Sequence, residues 1–225
     1  MPVIVAFVSQ KGGVGKSTLV RALATFASGA GLKTKVADLD LQQKTVTVWE
    51  LARGRHGLKP ALEVLSVEGL ADAFEQARES DLLIVDTPGK VTDATNDMAR
   101  QAHLVVQPTS PSADDLHIAI LVFLAMERVG IPRERLAFAL SGILSPHEER
   151  DARSFLASFG YAVLEGSIPL NSHYREAMRS GRSITETRQK TLDRRAEHMM
   201  ADLLQKAMAI AGTQGGRGEP AEKGE

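Results

Sequence analysis

Ser9-Gln10-Lys11-Gly12-Gly13-Val14-Gly15-Lys16-Ser17-Thr18 stands between an apolar run, Val3-Ile4-Val5-Ala6-Phe7-Val8, and a helix-like segment, Leu19 to Ala27. A buried strand, a glycine-rich turn and a helix in this order make the setting that a phosphate-binding loop requires. The glycines let backbone N–H groups crowd around a polyphosphate. A helix opening at Lys16 points its positive dipole end at the same place. Lys16 can neutralise the outer phosphates, and the Ser17 hydroxyl is placed to ligate a magnesium ion. The standard pattern G-x-x-x-x-G-K-[ST] puts glycine at position 10; this chain has Gln10 there, followed by a second lysine, Lys11.

Working outward, Thr34-Lys35-Val36-Ala37 reads as a short strand that runs into Asp38-Leu39-Asp40-Leu41-Gln42-Gln43. In an extended segment Asp38 and Asp40 face the same way. Two carboxylates leaving a strand beside a phosphate loop could hold Mg²⁺ through water or orient an attacking water. The alternative is that one of them caps a helix beginning near Lys44. That helix is expected to run to Arg55, with Trp49 in its packing. A strand over Leu62–Leu65 and an amphipathic helix over Gly69–Ser80 follow.

Asp81-Leu82-Leu83-Ile84-Val85-Asp86-Thr87-Pro88-Gly89 holds four consecutive apolar residues, as in a parallel strand buried on both faces. Asp86 ends that strand where ligands bind in open α/β sheets. It fits a magnesium carboxylate, with Thr87-Pro88-Gly89 as a loop beside the γ-phosphate. A further strand, His103–Gln107, leads to Ser112, an N-cap with Asp115 in the capping-box position, and a largely apolar helix from Ala113 to Val129. Strand Leu136–Leu144, helix Glu148–Phe159 and strand Ala162–Ile168 continue the alternation. Repeated β–α units predict an α/β fold, a doubly wound, mostly parallel sheet flanked by helices.

The C-terminal third is different. Between Asn171 and Arg195 lie seven basic residues, Arg175, Arg179, Arg182, Arg188, Lys190, Arg194 and Arg195, against Glu176, Glu186 and Asp193. Arg175, Arg179 and Arg182 have the spacing of one helical face, with Gly181 breaking the helix. Such a stripe either neutralises DNA phosphates or is a solvated face with salt bridges. A long last helix is expected over Thr191–Ala211, and residues 212–225 read as a disordered polar tail. Residues 1–211 then form a single domain, a size that 225 residues allow.

Composition narrows the classes of function. The chain is 43% hydrophobic and 24% charged, with a formal net charge of −1, which argues against a wholly basic nucleic-acid binder. It contains no cysteine, excluding disulfides, thiolate zinc sites and cysteine-held iron–sulfur clusters. No apolar run reaches the length of a membrane span, and no signal peptide is present, so a cytoplasmic protein is expected.

Lys11-Gly12-Gly13-Val14-Gly15-Lys16-Ser17-Thr18, Asp38-Leu39-Asp40 and Asp86-Thr87-Pro88-Gly89 together resemble the ParA/MinD family of deviant Walker ATPases, from the N-terminus to about Ala211. Within that family the chain is most similar to small ParA-type partition ATPases without a separate N-terminal DNA-binding domain, since the loop begins near residue 1. The resemblance implies that two protomers sandwich two ATP molecules and that Lys11 reaches the partner's phosphates. It implies that Lys16 binds the β- and γ-phosphates, that Ser17 and Asp86 hold Mg²⁺, and that Asp40 orients the attacking water. It also implies an ATP-state dimer that binds non-specific DNA through the segment about 171–195, where Arg175, Arg179, Arg182 and Arg188 lie. A ParB-like partner would stimulate hydrolysis and release it, so the protein would associate with the nucleoid. Leu41 stands where the family usually has proline. A MinD-like role, at a membrane surface or placing a protein cargo over the nucleoid, is the alternative; no membrane contact is expected from the polar, glycine-rich end.

Overall fold

The computed structural model describes residues 1–67 and 69–215. Five apolar stretches form the strands at its centre: β1 (Val3–Phe7), β2 (Thr34–Asp38), β4 (Leu82–Asp86), β5 (Leu104–Thr109) and β6 (Leu136–Ile143). Three shorter strands, β3 (Glu63–Ser66), β7 (Ala162–Val163) and β8 (Ile168–Pro169), lie outside them. The order is β3-β2-β4-β1-β5-β6-β7, with β8 pairing β6, and all pairs are parallel. β1 lies between β4 and β5, in the register Val3↔Leu82 to Phe7↔Asp86 on one side.

Period-two alternation sorts the side chains into two cores. Ile4, Ala6, Leu83, Val85 and Phe138 face the layer made by α3 (Leu70–Ala77), α4 (Asp93–Gln101), α5 (Ala113–Arg128) and α6 (Pro146–Ser158). Val5, Phe7, Leu82, Ile84 and Val106 face the other layer: α1 (Lys16–Gly29), α2 (Thr45–Arg55), α7 (Ser172–Arg179) and α8 (Lys190–Gly215). Burial on both faces is why these strands read as unbroken apolar runs. A fully buried Leu or Ile in such a core contributes about 1.5–3 kcal/mol relative to exposure.

The sheet and both helical layers agree with the expected doubly wound architecture. Some elements differ. α4 has no counterpart among the expected helices; Thr92 caps it, accepting from the Thr95 amide while Thr95 bonds back to the Thr92 amide. The strand expected over Ala162–Ile168 is two short pieces, separated by a turn in which Gly166 has φ +75°. That left-handed conformation costs a non-glycine residue energy, so the chain cannot stay extended there. α8 continues to Gly215, past the expected end at Ala211. Of the tail assigned to 212–225, residues 216–225 lie outside the described residues.

Candidate functional site

Parallel strands present all their C-terminal ends on one edge, and every candidate site residue of the first half of the chain comes from that edge. The loop after β1 bends through Gly13 (φ +82°) and Gly15 (φ +101°) and leads directly into α1 at Lys16. A Cβ on Gly15 would lie 3.1 Å from the Ser141 Oγ, which itself donates to the Val14 carbonyl at 2.7 Å. The end of β6 thus braces the loop from behind. Lys11, Gly12, Gly13, Val14, Gly15, Lys16, Ser17 and Thr18 line a cavity of about 230 Å³, with Arg21, Asp40, Thr45 and Gly89 completing its wall.

At its floor the Lys16 ammonium pairs with Asp86, and the Ser17 hydroxyl donates to the same carboxylate at 2.6 Å. Asp86 is 1% exposed and Lys16 10%. Burial pushes Asp86 above the usual carboxylate range, opposed by the charge and hydrogen bonds of Lys16 and Ser17. A buried carboxylate and a serine hydroxyl facing one point are oxygen donors suited to Mg²⁺. Among the described residues no cluster of three or more His, Asp or Glu is placed to hold a metal. Magnesium bound there would take further ligands from phosphate and water, as it prefers.

Asp38 and Asp40 diverge. Asp38, 1% exposed, accepts from the Val46 amide at 3.2 Å, the Thr47 amide at 3.0 Å and the Thr47 hydroxyl at 2.9 Å. It caps α2, the second of the two roles open to it from sequence. Asp40 stays at the wall of the cavity, accepting from the Gln43 amide at 3.0 Å.

Lys11 lies at the rim, 52% exposed, and pairs with Asp115 on α5. Ser112 caps α5 as expected, accepting from the Asp115 amide at 3.3 Å. The expected reciprocal bond of a capping box is replaced, because the Asp115 carboxylate instead accepts from Lys11 and Ser110. Burial pulls Asp115 upward, but the bonds from Lys11, Ser110 and Ser112 outweigh it and hold the carboxyl below its usual range. Sequence reasoning missed Asp115 as the lysine's partner and Ser141 as the loop's brace.

Arg175 and Arg179 lie exposed on α7. The helix ends at Arg179, and Gly181 (φ +75°) turns the chain so that Arg182 stands on the following turn, partly buried. Arg188 is exposed, with φ +69°. These four arginines form no ion pair among the described residues. Trp49 is 4% exposed and packs in the core, its indole N–H donating to the Arg182 carbonyl at 3.0 Å.

A parallel sheet whose central strand feeds a lysine-bearing glycine loop, with an acidic strand end beside it, defines a phosphate-loop nucleotide-binding protein. Residues 5–205 match the model of the CobQ/CobB/MinD/ParA nucleotide binding domain, and the chain belongs to that family, as a ParA/MinD-type ATPase. The protein ParA of Rhizobium radiobacter is 26% identical over 197 residues, which cover 84% of this chain and 88% of that relative. Among solved structures, a plasmid partition protein from Borrelia burgdorferi B31 bound to AMPPNP superposes with a TM-score of 0.73 at 15% identity, covering 92% of this chain and 100% of its own. The septum site-determining protein MinD of Pyrococcus horikoshii OT3, complexed with Mg-ADP, gives 0.72 at 18% identity, covering 93% and 98%. Likenesses at these identities concern the fold. No helix among the described residues is long and apolar enough to cross a membrane.

Proposed function

We propose that the chain is an ATP-dependent, dimerising partition ATPase, which binds non-specific DNA in its ATP state and is released when a ParB-like partner stimulates hydrolysis. The observation that carries this reading is Lys11: a second lysine, half exposed at the rim of the cavity that already holds the buried Lys16. One lysine suffices to bind the outer phosphates of one nucleotide. A half-exposed rim lysine can reach phosphates arriving from outside, as on a second protomer. The relative from Rhizobium radiobacter named ParA supports the partition role, as do the four arginines without ion-pair partners among the described residues.

On this reading ATP binding exchanges the Lys16–Asp86 pair for two others. Lys16 would turn to the β- and γ-phosphates, and Asp86 and Ser17 are the residues that would hold the cation. Mg²⁺, when bound, offsets the negative charge that develops on the phosphoryl oxygens. Asp40, on the loop wall, orients the attacking water. Lys11 leaves Asp115 and crosses to the partner's phosphates, so hydrolysis depends on two chains.

The test is DNA binding to random-sequence duplex with ATP and Mg²⁺, with ADP, and without nucleotide. The expected result is binding in the ATP state alone, weakening steeply as salt rises, because neutralised phosphates release counterions. Equal binding with and without ATP overturns the reading. Pelleting with anionic liposomes in ATP but not ADP, with no DNA binding, would replace it with the membrane-surface role.

A further inference from the structure

Arg21 is a cation where an apolar helix face meets the sheet. It is 9% exposed, sits one and a half turns into α1, and forms part of the wall of the phosphate cavity. Burial lowers its pKa to about 10, with Asp86 and Asp38 acting in the opposite direction. A buried guanidinium is costly unless its donors are used. Two are. Nη2 donates to the Thr45 carbonyl, at the first turn of α2, at 2.7 Å, and Nη1 lies 3.7 Å from the Met178 sulfur on α7. The Nε atom is buried with no partner among the described residues.

Its contacts run in two directions. Thr45 follows directly on the loop Asp40–Lys44, so one arm of the fork holds the cavity wall that carries Asp40. Met178 stands between Arg175 and Arg179 in sequence and receives the Thr18 hydroxyl at 3.6 Å as well. The guanidinium also lies over the Trp49 ring, 5.4 Å from its centroid. The indole in turn donates to the Arg182 carbonyl. One side chain thus touches the cavity wall, the helix bearing Arg175 and Arg179, and the tryptophan that fixes the turn bearing Arg182. Nothing in phosphate binding itself requires a cation so placed, since Lys16 already serves the phosphates.

We propose that Arg21 is the joint through which the phosphate cavity and the arginine-bearing segment 175–182 sense each other's state. It acts through Thr45 and Met178 and is a positioning residue, not a catalytic one. A nucleotide that moves the Asp40–Thr45 wall pulls on one arm of the fork, and Met178 moves α7 with the other. Coupling of this kind is reciprocal: whatever factor ATP contributes to binding at the arginines, a ligand there contributes to ATP. The DNA part of the idea rests on the function proposed above; the joint itself does not.

The test is hydrogen exchange in the full chain, with and without a non-hydrolysable ATP analogue and Mg²⁺. In the unsubstituted chain the α7 amides slow on nucleotide addition. In Met178→Ala the analogue still binds by calorimetry, and α7 exchange no longer responds. Arg21→Lys keeps the charge but loses the fork, and the response is lost there too. Unresponsive α7 amides in the unsubstituted chain, or a response surviving in either variant, overturn the joint. A parallel measurement on random-sequence duplex separates the two proposals. The ratio of affinities between the ATP and ADP states, tenfold or more in the unsubstituted chain, falls at least threefold in Met178→Ala, with dimerisation supplying the remainder; an unchanged ratio overturns the coupling to DNA. Absence of DNA binding in every state would refute the DNA reading and leave the exchange result to decide the joint.

Discussion

Lys11 and Lys16 belong to one loop yet have opposite surroundings, the first solvated at a rim and the second buried against Asp86. Their neighbours set what single changes do. Gly15→Ala puts a Cβ at φ +101° and 3.1 Å from the Ser141 hydroxyl. It is expected to cost more than about 1 kcal/mol in denaturant unfolding and to weaken nucleotide binding, because the loop can no longer hold its turn. Asp115 sets a pH dependence. Its carboxyl lies below the ordinary value of 3.8, so the folded state binds fewer protons than the unfolded chain in that range. The pair with Lys11 contributes stability above that value, and the contribution is lost as pH falls through and below it. Asp115→Asn should therefore flatten the acid limb of a plot of unfolding stability against pH, below about pH 4. That the glycines, Lys11, Lys16, Asp40 and Asp86 gather at one candidate site was legible in the sequence, because loop chemistry and strand ends announce themselves locally. Asp115 and Ser141 were not, since they meet the loop from 104 and 127 residues away. Asp115 also looked locally complete as half of a capping box.

Helix α2 gains its order from outside itself. Lys44 at its N-cap offers no side-chain bond, and Asp38, from the end of β2, accepts two amides and a hydroxyl instead. Asp38→Ala leaves the buried Val46 amide and the half-buried Thr47 amide and hydroxyl without this acceptor, an expected loss of about 1–3 kcal/mol, with faster amide exchange in the first turn of α2. At the other end Arg53, 1% exposed, grips Glu186 through both nitrogens at 2.7 and 2.8 Å and also donates to the Lys59, Pro60 and Gly181 carbonyls. Arg53→Met, of similar length, removes the charge from a closed network and should cost about 3 kcal/mol in equilibrium unfolding. At this scale the sequence was legible wherever apolar periodicity was strong. α4 buries little more than Thr95, Met98 and Ala99, and its cap uses Thr95 in place of the Glu or Gln that signals a capping box. α7 follows a different logic: a short helix whose buried Tyr174 and Ala177 dock it, leaving Arg175 and Arg179 to solvent.

The described residues form one parallel sheet with two cores, and the candidate site lies along the edge made by the ends of β1, β2, β4, β5 and β6. That plan could be read from the alternation of apolar runs and helical segments, because doubly buried strands and right-handed crossovers leave few other arrangements. Which residues tie the edge to the basic segment could not, since Arg21, Met178 and Trp49 all look like ordinary helix residues until the fold places them together. The two layers do different work around the same loop. The layer with α5 supplies Asp115 to hold Lys11, and the layer with α1, α2 and α7 carries the arginines. Sharing of ATP between two chains through Lys11 is tested in Lys11→Ala, by calorimetry, sedimentation with ATP and Mg²⁺, and phosphate release. The expected result is that ATP still binds through Lys16 while ATP-dependent dimers and hydrolysis disappear; dimers and normal turnover in that variant would rule out a shared site.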